Sequence, residues 1–156
     1  MNILVLGDVF GPTGVKAIKE KLPKIIKDKK VDFVILNGEN AANNGVGISK
    51  QNTEDFFNSG TDVITSGNHI WDKEETTKYI DQEPRLLRPA NLAEGSPGRG
   101  YGIYFSKDKK FKIGVINLMG NVFMRKTDDV FLKAKEICKK MNLKKEIDFL
   151  VVDFHG

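Results

Sequence analysis

Residues 2–36 read NILVLGDVFGPTGVKAIKEKLPKIIKDKKVDFVIL, two short apolar runs with a segment of helical periodicity between them. "NILVL" and "DFVIL" have the length and the Gly or polar flanks of buried strands. Between them, "GVKAIKEKLPKIIKDKK" repeats apolar residues at helical spacing, so the three segments predict a βαβ unit.

The same alternation recurs downstream. "QNTEDFFNSG" predicts a short helix before the strand "TDVIT", and "VFLKAKEICKKMNL" a helix before "DFLVVDF". Alternating strands and helices imply an α/β fold with a mostly parallel sheet. "YGIYFSKDKKFKIGVINLM" reads as two strands joined by a Lys/Asp turn, so an antiparallel pair should make the sheet mixed. No internal repeat, low-complexity tract or linker divides the chain, and "AEGSPGRG" reads as a surface loop. One domain over residues 1–156 is the expectation.

Composition agrees with a globular chain that has a core: 156 residues, 40% hydrophobic. No apolar run approaches the roughly 20 residues of a membrane helix, and "MNILVLGDVF" lacks a basic leader, which predicts a cytoplasmic protein with no membrane partner. The single cysteine, Cys138, falls in a helical pattern and is expected to be a small buried apolar residue. The net charge of +4 is uneven, because residues 106–148 carry twelve Lys or Arg against six Asp or Glu. "SKDKKFK" reads as a hairpin turn and "CKKMNLKKE" as a solvated helix end. No aromatic residues interleave with these lysines, so stable nucleic-acid binding is not expected. "GDVFGPTG" also lacks the glycine spacing of a phosphate-cradling loop, and no "GKS" or "GKT" occurs.

In sheets of this type ligands bind beyond the carboxyl ends of the strands, which makes the residues after each apolar run a set. The first run delivers "GDVFG" with Asp8, and the second "NGENAANNG" with Glu39 and Asn40. The third delivers "SGNH" with Asn68 and His69, and the last "DFHG" with Asp153 and His155. Singly, each is an ordinary turn; together they bring carboxylate, amide and imidazole to one edge. Such oxygen and nitrogen donors suit Mn²⁺, Fe²⁺ or Zn²⁺, and a glutamate between two ions can bridge them through its two oxygens.

"GDVFG", "NGENAANNGVGI", "SGNHIWD" and "VVDFHG", in this order from Met1 to the last residue, resemble the YmdB-like branch of the calcineurin-like metallophosphoesterases. The wider superfamily has Asp-x-His in its first motif and Gly-Asp in its second; here Phe10 and Glu39 stand in those places, which is the branch's own pattern. The resemblance implies an α/β/β/α sandwich. It also implies that Asp8 and Asn40 hold a first ion, that Glu39 bridges, and that Asn68 and His155 hold a second. His69 is then left free for chemistry. Iron or manganese are the expected ions, with zinc or magnesium as alternatives.

Two such cations would withdraw charge from a phosphodiester and acidify a water for in-line attack. His69 would act as general acid toward the departing alkoxide, a role typically contributing about 10²- to 10⁴-fold in rate. The resemblance implies a small phosphodiester substrate such as a nucleoside 2′,3′-cyclic monophosphate. Family members continue well beyond the "DFHG" strand and carry a Gly-x-His-x-His segment, whereas this sequence holds only His69 and His155. The expectation is therefore an N-terminal part of a longer enzyme, with the C-terminal part of the sandwich missing. An uncovered apolar sheet edge would then favour homo-oligomers. The alternative from another class is a non-catalytic interaction or relic module that keeps part of the metal site.

Overall fold

Strand β1 (Ile3–Leu6) leads through a turn into helix α1 (Gly11–Lys29), and the chain returns as β2 (Phe33–Asn37), parallel to β1 with Ile3 opposite Phe33. The structure is a computed structural model that describes residues 1–156. Pro12 stands in the first turn of α1, where its missing N–H has no helical partner to lose, and Lys30 closes the helix in the left-handed conformation. Helix α2 (Lys50–Asn58) starts with a reciprocal cap: Asn52 N donates to Ser49 Oγ at 3.0 Å and Ser49 N donates to Asn52 Oδ1 at 3.1 Å. It leads to β3 (Val63–Thr65), parallel to β2. A short helix α3 (Glu74–Tyr79) and a 3₁₀ turn (Ile80–Gln82) follow.

The second half starts a new sheet. Strands β4 (Tyr101–Phe105) and β5 (Lys112–Met119) pair antiparallel around the lysine-rich turn, and helix α4 (Val130–Lys140) returns the chain to β6 (Phe149–His155), parallel to β5. The chain forms two sheets, β1-β2-β3 all parallel and β4-β5-β6 mixed, as the sandwich implied by the resemblance requires, and the one mixed sheet suggested by the strand pattern alone is divided. The reason lies at the free edge of β3. There Ile64 N donates to Arg85 O and Leu87 N to Ile64 O, both at 2.8 Å, so the segment after α3 occupies the edge that β4 would otherwise use.

Side-chain alternation stacks the layers. Phe33, Ile35 and Val63 of the first sheet pack against Ile113, Val115 and Val151 of the second. On the opposite faces, Leu36 and Ile64 meet Val15 of α1 and Phe56 of α2, and Ile116 and Leu118 meet Ile137 of α4 and Met141 just past its end. The order is α/β/β/α. Cys138 is exposed, against expectation, because the buried stripe of α4 passes through its neighbour Ile137 and through Met141. Edge strands β1 and β6 carry exposed Val5, Val152 and Phe154. No helix is long and apolar enough to cross a membrane.

Candidate active site

Toward the carboxyl ends of the strands the seam between the sheets turns polar. Asn37 of β2 donates to Asp153 Oδ2 of β6 at 3.0 Å, and Thr65 of β3 donates its hydroxyl to the same oxygen. Buried Asn117 of β5 accepts from Ser66 N at 2.9 Å and donates to Ser66 O at 3.0 Å. Each buried polar group in this seam has a partner on the opposite sheet, which fixes the registration of the strand ends. Asp153, grouped with the ligands by sequence, therefore ties strands together. Asn37 Oδ1 also accepts from Glu39 N at 3.1 Å and turns the chain just past β2.

Glu39 is 1% exposed, an unusual state for a carboxylate. Its Oε2 lies 2.9 Å from His155 Nδ1, yet the approach is off-axis and Oε2 has no directed donor; Oε1 receives the His69 N–H at 3.3 Å. The far side of the His155 ring meets Asn68, with Nε2 at 3.1 Å from Oδ1. The His155 pKa is raised above its ordinary value, first by the Glu39 carboxylate close beside its Nδ1, with burial opposing and the charges of Asp153 and Asp8 adding to the rise. On the other flank, Asn40 donates to Asp8 Oδ2 at 2.7 Å.

The structure brings Asp8, Glu39, Asn40, Asn68 and His155 to one strand-end face as two linked groups, Asp8 with Asn40 and Glu39 with His155 and Asn68. No three His, Cys, Asp or Glu side chains converge as a ready cation cage; two of these five residues are asparagines. His69 turns away from Asn68, its Nδ1 lying 2.6 Å from Asp72 Oδ2. Asp72 was not singled out in the sequence, although the i, i+3 spacing in "HIWD" could have marked it. Arg125, with Nη2 at 3.8 Å from Asp72 Oδ1, has no local sequence signal.

Gly67 is the floor of this group. A Cβ there would stand 2.5 Å from the Glu39 carboxyl carbon and would overlap Glu39 Oε2 and His155 Cδ2. Gly67→Ala should lower stability by about 1–3 kcal/mol and displace Glu39, whereas Gly7→Ala, with nothing within 4 Å of the added carbon, should be near neutral. Thermal unfolding of both variants beside the parent checks this, and equal midpoints would remove the close approach.

The family described as "YmdB-like protein" matches residues 4–156. The chain is 43% identical over 156 residues to a protein of Bacillus subtilis (strain 168) named 2′,3′-cyclic-nucleotide 2′-phosphodiesterase, covering 100% of this chain and 57% of that relative. Among solved structures, a hypothetical protein from Thermus thermophilus superposes with a TM-score of 0.87 at 30% identity, covering 99% of this chain and 57% of the other. A novel phosphatase from Mycoplasma pneumoniae superposes with a TM-score of 0.85 at 32% identity, covering 98% and 54%. The chain spans little more than half the length of these relatives.

Proposed function

The chain belongs to the YmdB-like family, and from that membership we propose that its strand-end face is the metal site of a phosphodiesterase acting on small phosphodiesters, nucleoside 2′,3′-cyclic monophosphates foremost. Residues 1–156 act as one metallophosphoesterase domain in this reading. The observation that carries it is Glu39: a carboxylate sealed from water whose Oε2 has only the poorly aligned His155 ring beside it is costly unless a cation uses it. Its neighbours fit that role, because Asp8, Asn40, Asn68 and His155 offer oxygen and nitrogen donors on both sides. Asp8 and Asn40 would hold one ion and Asn68 and His155 another, with Glu39 shared; iron or manganese suit the set before zinc or magnesium.

Bound there, the ions would supply Lewis-acid polarisation of the phosphate and an acidified water. The chain's own residues do the rest. Glu39 and Asp8 carry the negative charge that holds the cations, and the buried seam behind them fixes their spacing. Asp72 accepts a hydrogen bond from His69 Nδ1, and with the ring protonated at both nitrogens its Nε2–H is left to give the proton to the leaving oxygen. The name of the Bacillus subtilis relative supports the cyclic-nucleotide choice.

The test is metal content and turnover on one sample. Manganese-loaded protein should bind two ions per chain and hydrolyse a 2′,3′-cyclic nucleotide, with the ion beside Asn40 weakened and turnover lost in Asp8→Ala. Stoichiometric metal without turnover would favour the non-catalytic module, and no metal would end the phosphodiesterase reading.

A further inference from the structure

The loop between β5 and α4 is held firmly at its base and carries its apolar residues at its tip. Asn91, fully buried, fastens both legs: its side chain accepts from Met119 N at 2.9 Å and donates to Met119 O at 2.7 Å and to Thr127 Oγ1 at 2.9 Å. Its carbonyl accepts from Asp128 N at 2.8 Å, and Thr127 also donates to Asn121 across the neck. Beyond the neck stand Val122, 76% exposed, and Phe123, 103% exposed.

Phe123 is unusual twice over. Its φ of 59° is left-handed, a region bulky residues rarely occupy and one costing on the order of 1–3 kcal/mol. Its ring has also given up no contact with water, so folding gains nothing from an aromatic residue there. Two other exposed aromatics have local partners: Phe10 rests on Gly45, where an added Cβ would stand 2.6 Å from its Cζ, and Phe149 packs edge-on against Phe111. The loop leaves the carboxyl end of β5 beside the strand end that carries His155, with Gly120 N donating to His155 O at 2.8 Å. Two residues after Phe123, Arg125 reaches Asp72, the partner of His69. A stiff-necked loop thus holds a free aromatic face beside the phosphate-handling groups.

We infer that Phe123 is a stacking platform for the base of a nucleotide substrate, a specificity residue that rests on the phosphodiesterase reading above. A planar ring recognises any base by its π-face, so the platform distinguishes nucleotides from base-free diesters and not one base from another. Stacking made equally in ground and transition states appears in KM and not in kcat.

The experiment compares a nucleoside 2′,3′-cyclic monophosphate with glycerol 1,2-cyclic phosphate, which has no base. Phe123→Ala should raise KM for the nucleotide about tenfold or more, leave kcat and the base-free diester unchanged, and leave the unfolding midpoint in place. Phe123→Trp should restore the nucleotide KM. Equal changes on both substrates, or none, would overturn the platform. Should the parent hydrolyse neither diester, the phosphodiesterase reading fails, and the platform is judged by calorimetric titration of metal-loaded protein with adenosine 3′-monophosphate and ribose 5-phosphate. A preference of about tenfold for the nucleotide that Phe123→Ala abolishes would uphold it; no preference, or one that survives the substitution, would overturn it.

Discussion

Glu39→Gln should weaken metal binding by about 10²-fold or more, the largest effect expected of any single substitution in this chain. The substitution keeps the shape and removes one negative charge shared by two cations. A unit pair about 4 Å apart at an effective dielectric near 20 is worth about 4 kcal/mol, and the loss is felt at both positions, so even strong relaxation leaves about 2.7 kcal/mol, or 10²-fold. Folding supplies the control. In metal-free protein Glu39 is a buried carboxylate with only the His69 N–H and the off-axis His155 ring as partners, and an amide oxygen can still accept the former, so neutralising it should leave the unfolding midpoint unchanged or slightly higher. The measurements are metal stoichiometry by native mass spectrometry and thermal unfolding in chelator. Full occupancy of both positions in the variant would take Glu39 out of the bridge, and a large fall in metal-free stability would make it a structural residue.

Much of this site was legible because strands end where apolar runs end. "DFVIL" and "TDVI" bury short runs and "NILVL" half-buries one at the sheet edge, and the polar residues that follow must surface at the same edge of a parallel sheet. That alone puts Asp8, Glu39, Asn40 and Asn68 at the edge, while the share of each in holding an ion is what the family resemblance implies. Pairing between distant strands was less legible, since periodicity shows which face is buried but not which neighbour covers an edge. The segment "RLLRPA" has no strand pattern, yet Leu86 bridges to Ile64 of β3 and Leu87 to Arg99 just before β4, and the first sheet ends at β3. Arg125 is the extreme case. Its approach to Asp72 depends on the neck that Asn91 closes from 34 positions upstream, and no local pattern encodes that. Cys138 failed for a smaller reason: neighbouring positions on a helix face about 100° apart, and a one-residue error in the buried stripe exchanges Ile137 for it.

His69→Ala should keep the metals and lose turnover selectively. Asn68 and His69 are adjacent but diverge, Asn68 meeting His155 and His69 meeting Asp72, so removing the second ring leaves the proposed ligand set in place. If His69 gives its proton to the leaving oxygen, the loss should scale with how badly that oxygen needs it. A cyclic nucleotide expels an alkoxide and should slow by about 10²-fold or more, whereas a nitrophenyl diester expels a stable phenolate and should slow far less. Asp72→Asn should give a smaller loss of the same pattern, because the amide can still contact the ring but is a weaker partner for Nδ1–H than the carboxylate. Metal stoichiometry measured on each variant separates chemistry from ligation. Equal losses on the two substrates would make His69 a phosphate-positioning group, loss of metal would make it a ligand, and full activity on both would return the turn at residues 67–71 to a purely structural role.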